Sequence, residues 1–290
     1  MNAPTHLSYA ETVIRLVRGF GMAPFAKPFL SDHVDDFVQW AGMPDRVHEV
    51  AANVDGAMVT QVGKHDFSSF EHFEVQGAGY EWARDPSLGV LGTLAGDLAK
   101  LAGLRLVAYG DLPRPPLGGL TMTTPMQEAA AKYGQAPVAE FIFPRAGIGA
   151  AFWVAVARRF ALANDAEHWR RAAGYGLHFV EDSCVPHHSW GALLFGHADF
   201  ENALEAQWRQ TIDEVVTAGM LGTTIVPAVR AELADLEHVA SPEALCAANA
   251  DWARRVYGQP HDLAACPGDV ALRVSVRAIA ASVLACELMA

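Results

Sequence analysis

The 290-residue chain is long enough for one large domain or two modest ones, and 51% hydrophobic with 19% charged residues leaves ample material for a buried core. Disorder is excluded by that balance. Twenty-one Lys and Arg against 33 Asp and Glu give a net charge of −12, which excludes a chain-wide basic surface for a nucleic-acid backbone. A local cationic site could still arise if metal ions supply its charge. The twelve histidines are the unusual part of the composition.

The first residues, MNAPTHLSYAETVIRLVRGFGM, meet Glu11 and Arg15 before any apolar run develops, unlike a secretory signal. The longest apolar stretch, Ala146 to Ala157, stops at Arg158 and is well short of the roughly 20 residues that span a bilayer. A soluble, cytoplasmic protein is expected, or a secreted one if a leader has been removed.

Tyr9, Val13, Leu16 and Val17 recur at helical spacing behind Ser8 and Glu11, an S-x-x-E capping box. Ser31 or Asp32 can cap a short helix through Phe37 and Trp40. Pro44 is placed to open another carrying Val47 and Val50. From Asp55 to Pro125 the glycines and the LPRP segment at Leu112–Pro115 predict long ordered loops, with one helix at Leu91 to Leu104. Beyond Pro144 the chain reads as successive helices: Phe152 to Asn164, the Asp165-capped run through Val180, His197 to Val216, Val226 to Leu236, Ser241 to Gly258, and Gly268 to the end. Alternating strand patterns are scarce and no repeat or linker interrupts the chain. The expected fold is all-α, a single multi-helix domain over 1–290 with long loops in its N-terminal half.

Cys184, Cys246, Cys266 and Cys286 have long, irregular spacings with no C-x-x-C pair, so no disulfide or thiolate site is demanded. Cys184 reads as a small buried hydrophobe.

The chemistry gathers in HFVEDSCVPHHSWGALLFGHADFE, from His178 to Glu201. His178 and Asp182 are four apart, so both project from one face of a helix, and His197 and Glu201 repeat that spacing on the next. Pro186 ends the first helix and delivers His187 and His188 in the turn. Two i,i+4 His/carboxylate pairs with a His at the corner can close around one or more metal ions, and imidazole with carboxylate suits zinc. The flanking Phe179, Val180, Phe195 and Phe200 would make unpaired charges there expensive, a cost that metal binding relieves. His187 reads as facing away from His188, beside the ligands or toward solvent. His33, His48, His168, His238 and His261 lack partners at ligand spacing and read as structural or surface residues. Trp82, Tyr80 and Trp190 could line a cleft, although large aromatics are core residues by default.

H-x3-D, a turn with P-x-H, then H-x3-[ED] resembles the signature of the zinc-dependent phospholipase C and P1-type nuclease superfamily. Here it is His178 and Asp182, Pro186 with His188, then His197 and Glu201. The preceding helix, AEHWRRAAGYGLHFVEDS, is similar to that family's small-residue helix, and the close resemblance covers about 40 residues. It implies a trinuclear zinc cluster at the bottom of a cleft and hydrolysis of phosphodiesters. By resemblance, His178 is a ligand, Asp182 bridges two zincs, and His188, His197 and Glu201 form a separate site. One zinc of the pair would also take Asp55, which the resemblance makes the general base, and His72, with His65 and Asp66 as rivals. The last zinc would take His6 with the amino group and carbonyl of the first residue, a Trp in secreted members. With Met1 in that place, either its amine substitutes, or that zinc is bound differently, or only two zincs are held.

The expected function is therefore a zinc-dependent, phospholipase C-like phosphodiesterase acting on a small-molecule or lipid phosphate ester. The alternatives are a P1-type single-strand nuclease or 3'-nucleotidase, for which nucleic acid would be a substrate only. Others are an intracellular biosynthetic enzyme using the zincs as Lewis acids and a non-catalytic metal-stabilised binding domain.

Overall fold

A computed structural model describes residues 1–46, 49–54, 57–62, 72, 74, 105–106, 120–125, 139–143, 145–190, 196–258 and 266–290. The helical class stands. Among the described residues the α-helices are α1 (Ala3–Phe20), α2 (Asp35–Ala41), α3 (Ala146–Leu162), α4 (Ala166–Asp182), α5 (Pro186–Trp190), α6 (His197–Thr217), α7 (Leu221–Asp235), α8 (Pro242–Tyr257) and α9 (Gly268–Met289). None is long and apolar enough to cross a membrane.

Side-chain caps set the starts of three helices, α1, α4 and α8. The Asp165 side chain accepts from His168 N at the start of α4, and Ser241 accepts from Ala244 N ahead of Pro242 at the start of α8. Helix α1 departs from the expectation that Ser8 caps it. Asn2 is the N-cap, accepting from Thr5 N, with proline in the first turn. His6 is thereby placed inside a helix rather than ahead of one. Helix α7 also begins earlier than expected and tolerates Pro227 in its interior. Pro186 opens a short helix of its own, α5, instead of leading into a plain turn.

The larger correction lies between α2 and α3. The expected helix behind Pro44 is not formed, and Val50 belongs to a strand. Strands β1 (Glu49–Val54), β2 (Ala57–Val62), β3 (Arg105–Leu106), β4 (Leu120–Pro125) and β5 (Ala139–Ile142) form a sheet in the order β3-β5-β2-β1-β4. β1 pairs antiparallel with β2 and with β4, while β2 and β3 both run parallel to β5. Part of the segment expected to be loop is therefore this small sheet, added to a helical body. The helix expected at 91–104 lies outside the described residues.

Helices α4 and α9 are the centre of the helical body. From Ala172 to Asp182 every side chain of α4 is buried, and α9 is buried almost throughout, as expected for helices covered on all sides. α3 and α2 both pack on α4. Trp169 stacks on Phe29 and Phe37 and donates Nε1–H to the Met289 carbonyl at 3.1 Å, tying α4 to the end of α9. At Gly174 a side chain could not be accommodated, because a Cβ there would lie 2.4 Å from the Phe37 carbonyl oxygen and 3.2 Å from Ala41 N. That close approach of α2 to α4 matters for the site described next.

Candidate metal centre

Several stretches of chain converge at the C-terminal end of α4. α4 itself contributes His178 and Asp182, α1 contributes His6, α5 and α6 contribute His188, His197 and Glu201, and the segment around His72 closes the cluster. Three groups have ligand atoms lying within 4.8 Å of one another: His6 with His178 and Asp182; Asp45 with His72 and His178; and His188 with His197 and Glu201. Each can hold a metal ion.

His178 belongs to the first two groups, and Asp182, a member of the first, also reaches His72 of the second. Its Oδ1 lies 3.3 Å from His6 Nε2, whereas its Oδ2 lies 2.7 Å from His72 Nδ1 and 3.1 Å from His178 Nε2. One carboxylate thus presents its two oxygens to two different sets of imidazoles. Glu201 Oε1 lies 3.0 Å from His188 Nε2 and 2.9 Å from His197 Nε2. The Met1 amino nitrogen lies 2.5 Å from Asp182 Oδ1, 2.9 Å from Glu201 Oε1 and 3.5 Å from His188 Nε2, so it links the bridged pair to the third group. Asn2, besides capping α1, donates Nδ2–H to Glu205 Oε2 at 2.7 Å and so fastens this end of the chain to α6.

The imidazoles are oriented through their second nitrogens. His178 Nδ1 is 3.0 Å from the Ala41 carbonyl oxygen, which the contact at Gly174 brings up to α4. His188 Nδ1 is 2.9 Å from the His72 carbonyl oxygen, and His6 Nδ1 is 2.5 Å from Glu181 Oε2. An Nδ1–H donated to an oxygen fixes the tautomer and leaves Nε2 as a lone-pair donor, the usual preparation of a metal-binding histidine. His72 in turn is held by its surroundings. Glu74 N donates to the His188 carbonyl, and the buried Glu74 carboxylate accepts from Arg145 and from Gly147 N, each at 2.6 Å.

Burial and charge set the protonation states. Burial, helped by the charge of His6, lowers His178 to about 4. Burial and the Met1 ammonium lower His188 to about 3, so both rings are neutral donors at pH 7. Burial opposes ionisation of Asp182 and Glu201, but the Met1 ammonium foremost, with the imidazoles, holds both carboxyls well below their ordinary range. The same carboxylates outweigh burial at the cationic groups: Met1 is raised to about 11 by Asp182, Glu201 and Asp45, and His6 to about 10 by Asp182 and Glu181. The site is thus rich in anionic oxygen, with His178 and His188 neutral donors at pH 7 and with His6 and Met1 protonated, so that a divalent cation binding there would displace their protons.

His6, His72, His178, Asp182, His188, His197 and Glu201 are brought together as the spacing and the resemblance implied. Asp55, His65 and Asp66 lie outside the described residues, as do His48, Tyr80, Trp82 and His261. Asp45 was missed. It follows α2 by four residues, and its carboxylate lies 3.7 Å from His178 Nε2 and 3.9 Å from His6 Nε2. No spacing marks it, because its partners are all remote in sequence. Glu181 and Glu74 were missed for the same reason. His187 is not solvent-facing: it is buried and stacks parallel to His197, with ring centroids 5.2 Å apart, and against Phe200. His33 and His238 are exposed, His168 pairs with Asp165, and Trp190 donates to the Gly258 carbonyl. All four cysteines are free and buried, Cys184 among them.

The fit to metal ions is tested by atoms that hydrogen bonding leaves over. His6 Nε2 and Asp45 Oδ2 are buried, have no hydrogen-bond partner and face each other at 3.9 Å. Buried polar atoms are ordinarily paired, and orphaned ones call for an explanation. A cation between them supplies it. Comparison with known protein families, curated proteins and solved structures finds no match to this chain.

Proposed function

We propose that the protein is a zinc-dependent hydrolase of phosphate esters, a phospholipase C-like phosphodiesterase working through a multinuclear centre. The observation that carries this reading is Asp182, a buried carboxylate whose two oxygens face different imidazole sets. Structural zinc sites favour thiolates, and none of the four cysteines belongs to the three groups.

In this reading His72, His178, Asp45 and Asp182 would hold one ion, and His6 and Asp182, with the Met1 amine, a second. His188, His197 and Glu201 would hold a third. Bound zinc would lower the pKa of water toward neutrality and clamp a phosphoryl oxygen for in-line displacement. The chain's own residues do the rest. Asp182 keeps two ligand sets at a fixed separation. The carbonyls of Ala41 and His72 hold the rings of His178 and His188 in their donor tautomer. Asp45, whose side chain is 23% exposed, is a carboxylate of the centre that water can reach, and it is suited to the same proton-accepting role as that expected of Asp55. The chain's net charge of −12 is compatible with an anionic substrate because the centre itself is where positive charge collects.

Elemental analysis combined with hydrolysis assays tests the reading. Three zincs per chain, with cleavage of a p-nitrophenyl phosphodiester that a chelator abolishes, is the expected result. Parallel assays on a phospholipid and on single-stranded nucleic acid divide the lipase from the nuclease form. A chain that binds zinc but cleaves none of these would overturn hydrolysis, and one that binds no metal would overturn the whole reading.

A further inference from the structure

Glu181 stands beside Asp182 in sequence but cannot share its task. Successive residues of an α-helix are about 100° apart, so the Glu181 side chain leaves the metal-facing side of α4 and lies between α1 and α9. There it is fully buried, and both oxygens are engaged: Oε2 lies 2.5 Å from His6 Nδ1, and Oε1 accepts Ser282 Oγ–H at 2.8 Å. An uncompensated buried carboxylate is expensive, so such an arrangement needs a return.

The other imidazoles show what the return is. His178 and His188 direct Nδ1 at neutral backbone carbonyls, whereas His6 directs its Nδ1 at a carboxylate. Its opposite nitrogen, Nε2, is one of the two orphaned atoms and faces Asp182 and Asp45. A carboxylate behind an imidazole makes the ring a stronger donor at the far nitrogen and locks its orientation. We infer that Glu181, braced by Ser282, is the positioning residue that holds His6 as a ligand for one particular ion of the centre, without touching the ions itself. This rests on the metal reading above and adds a selective dependence: one ion relies on Glu181 while the others do not.

The test is a chelator titration of zinc-loaded, full-length protein, with retained zinc counted at each step. In Glu181→Gln, one zinc per chain should leave at a 10- to 100-fold lower chelator concentration than in the wild type, the scale of lost ligand support. The remaining ions should hold. His6→Ala should lose that same single ion, and adding Glu181→Gln to it should shift nothing further. Cadmium-113 spectra of the cadmium-loaded protein give a second readout, in which one resonance moves or vanishes in Glu181→Gln. Ser282→Ala, which leaves the carboxylate in place, should show the same change in weaker form and serves if Glu181→Gln does not fold. Unchanged retention in both variants, or parallel loss of all ions, would overturn the assignment of Glu181 while leaving the metal centre intact. A wild type without zinc would overturn both.

Discussion

Two buried polar clusters flank α4, and they solve the problem of buried charge differently. In one, Arg277 of α9 donates Nε–H to Asn249 Oδ1 at 3.0 Å and NH1 to Glu232 and Asp235 at 2.7 and 2.6 Å, while its guanidinium lies over the Trp252 ring. Asn249 passes the network on to Ser183. The two carboxylates reach solvent, with side chains 27% and 59% exposed, so the charge of one buried cation is answered within the protein and by water. The other cluster is closed differently. Asp182 and Glu181 are fully buried, two ring or carboxylate atoms are left orphaned, and the cations facing the carboxylates are Met1 and His6. The first network is complete as a piece of protein, whereas the second leaves His6 Nε2 and Asp45 Oδ2 without a hydrogen-bond partner, which the proposed metal ions would supply.

The comparison is broken most sharply at Asp182. Asp182→Asn should reduce phosphodiesterase activity by more than about 100-fold and release zinc from two positions, because the bridging charge is gone. Full zinc content in that variant would contradict bridging. Arg277→Met should act oppositely: a loss of about 3 kcal/mol in urea unfolding, on the scale of breaking a buried ion pair, with zinc content unchanged. Loss of zinc there would show that the two clusters are coupled. Gly174→Ala tests how α2 is docked. The new methyl would meet the Phe37 carbonyl, costing about 1–3 kcal/mol in overpacking, and it would push back Ala41 and with it the brace of His178. Weaker zinc retention should accompany the lower melting temperature, and a purely stability effect would detach α2 from the site.

The smallest effect lies away from both clusters. The Asp165 cap is opposed by partial burial, but its hydrogen bonds from His168 hold the carboxyl below its ordinary value. Its folded pKa is therefore depressed, so the stabilisation is complete above the unfolded value of about 3.9 and fades as pH falls through the folded one. Asp165→Ala should cost about 1 kcal/mol at pH 7, with the gap to wild type narrowing in melts below pH 4. A gap independent of pH would show that the charge plays no part.

How much of this was legible follows from which contacts are local. The caps at Asp165 and Ser241 and the pairs His178/Asp182 and His197/Glu201 depend on residues three or four apart, and each was readable. The sheet was not, because most of its ladders join residues far apart in the chain, Val50 with Pro125 and Val59 with Ala139. Ser8 looked like a cap by the same local logic, but Asn2 with proline behind it starts α1 a turn and a half earlier.

Residue order by itself determined the helical class, the starts of α4, α6, α8 and α9 and the two i,i+4 pairs, since those follow from backbone geometry within one or two turns. Only the tertiary structure decided that Asp45 stands beside His178, that Glu181 backs His6, and that Met1 reaches Asp182. Those contacts span 133, 175 and 181 residues (Asp45 to His178, His6 to Glu181, Met1 to Asp182), and no periodicity links residues that meet because α1, α2 and α4 pack together. Spacing reports what one helix face carries, whereas the choice of which faces meet is made by core packing, down to the absence of a side chain at Gly174.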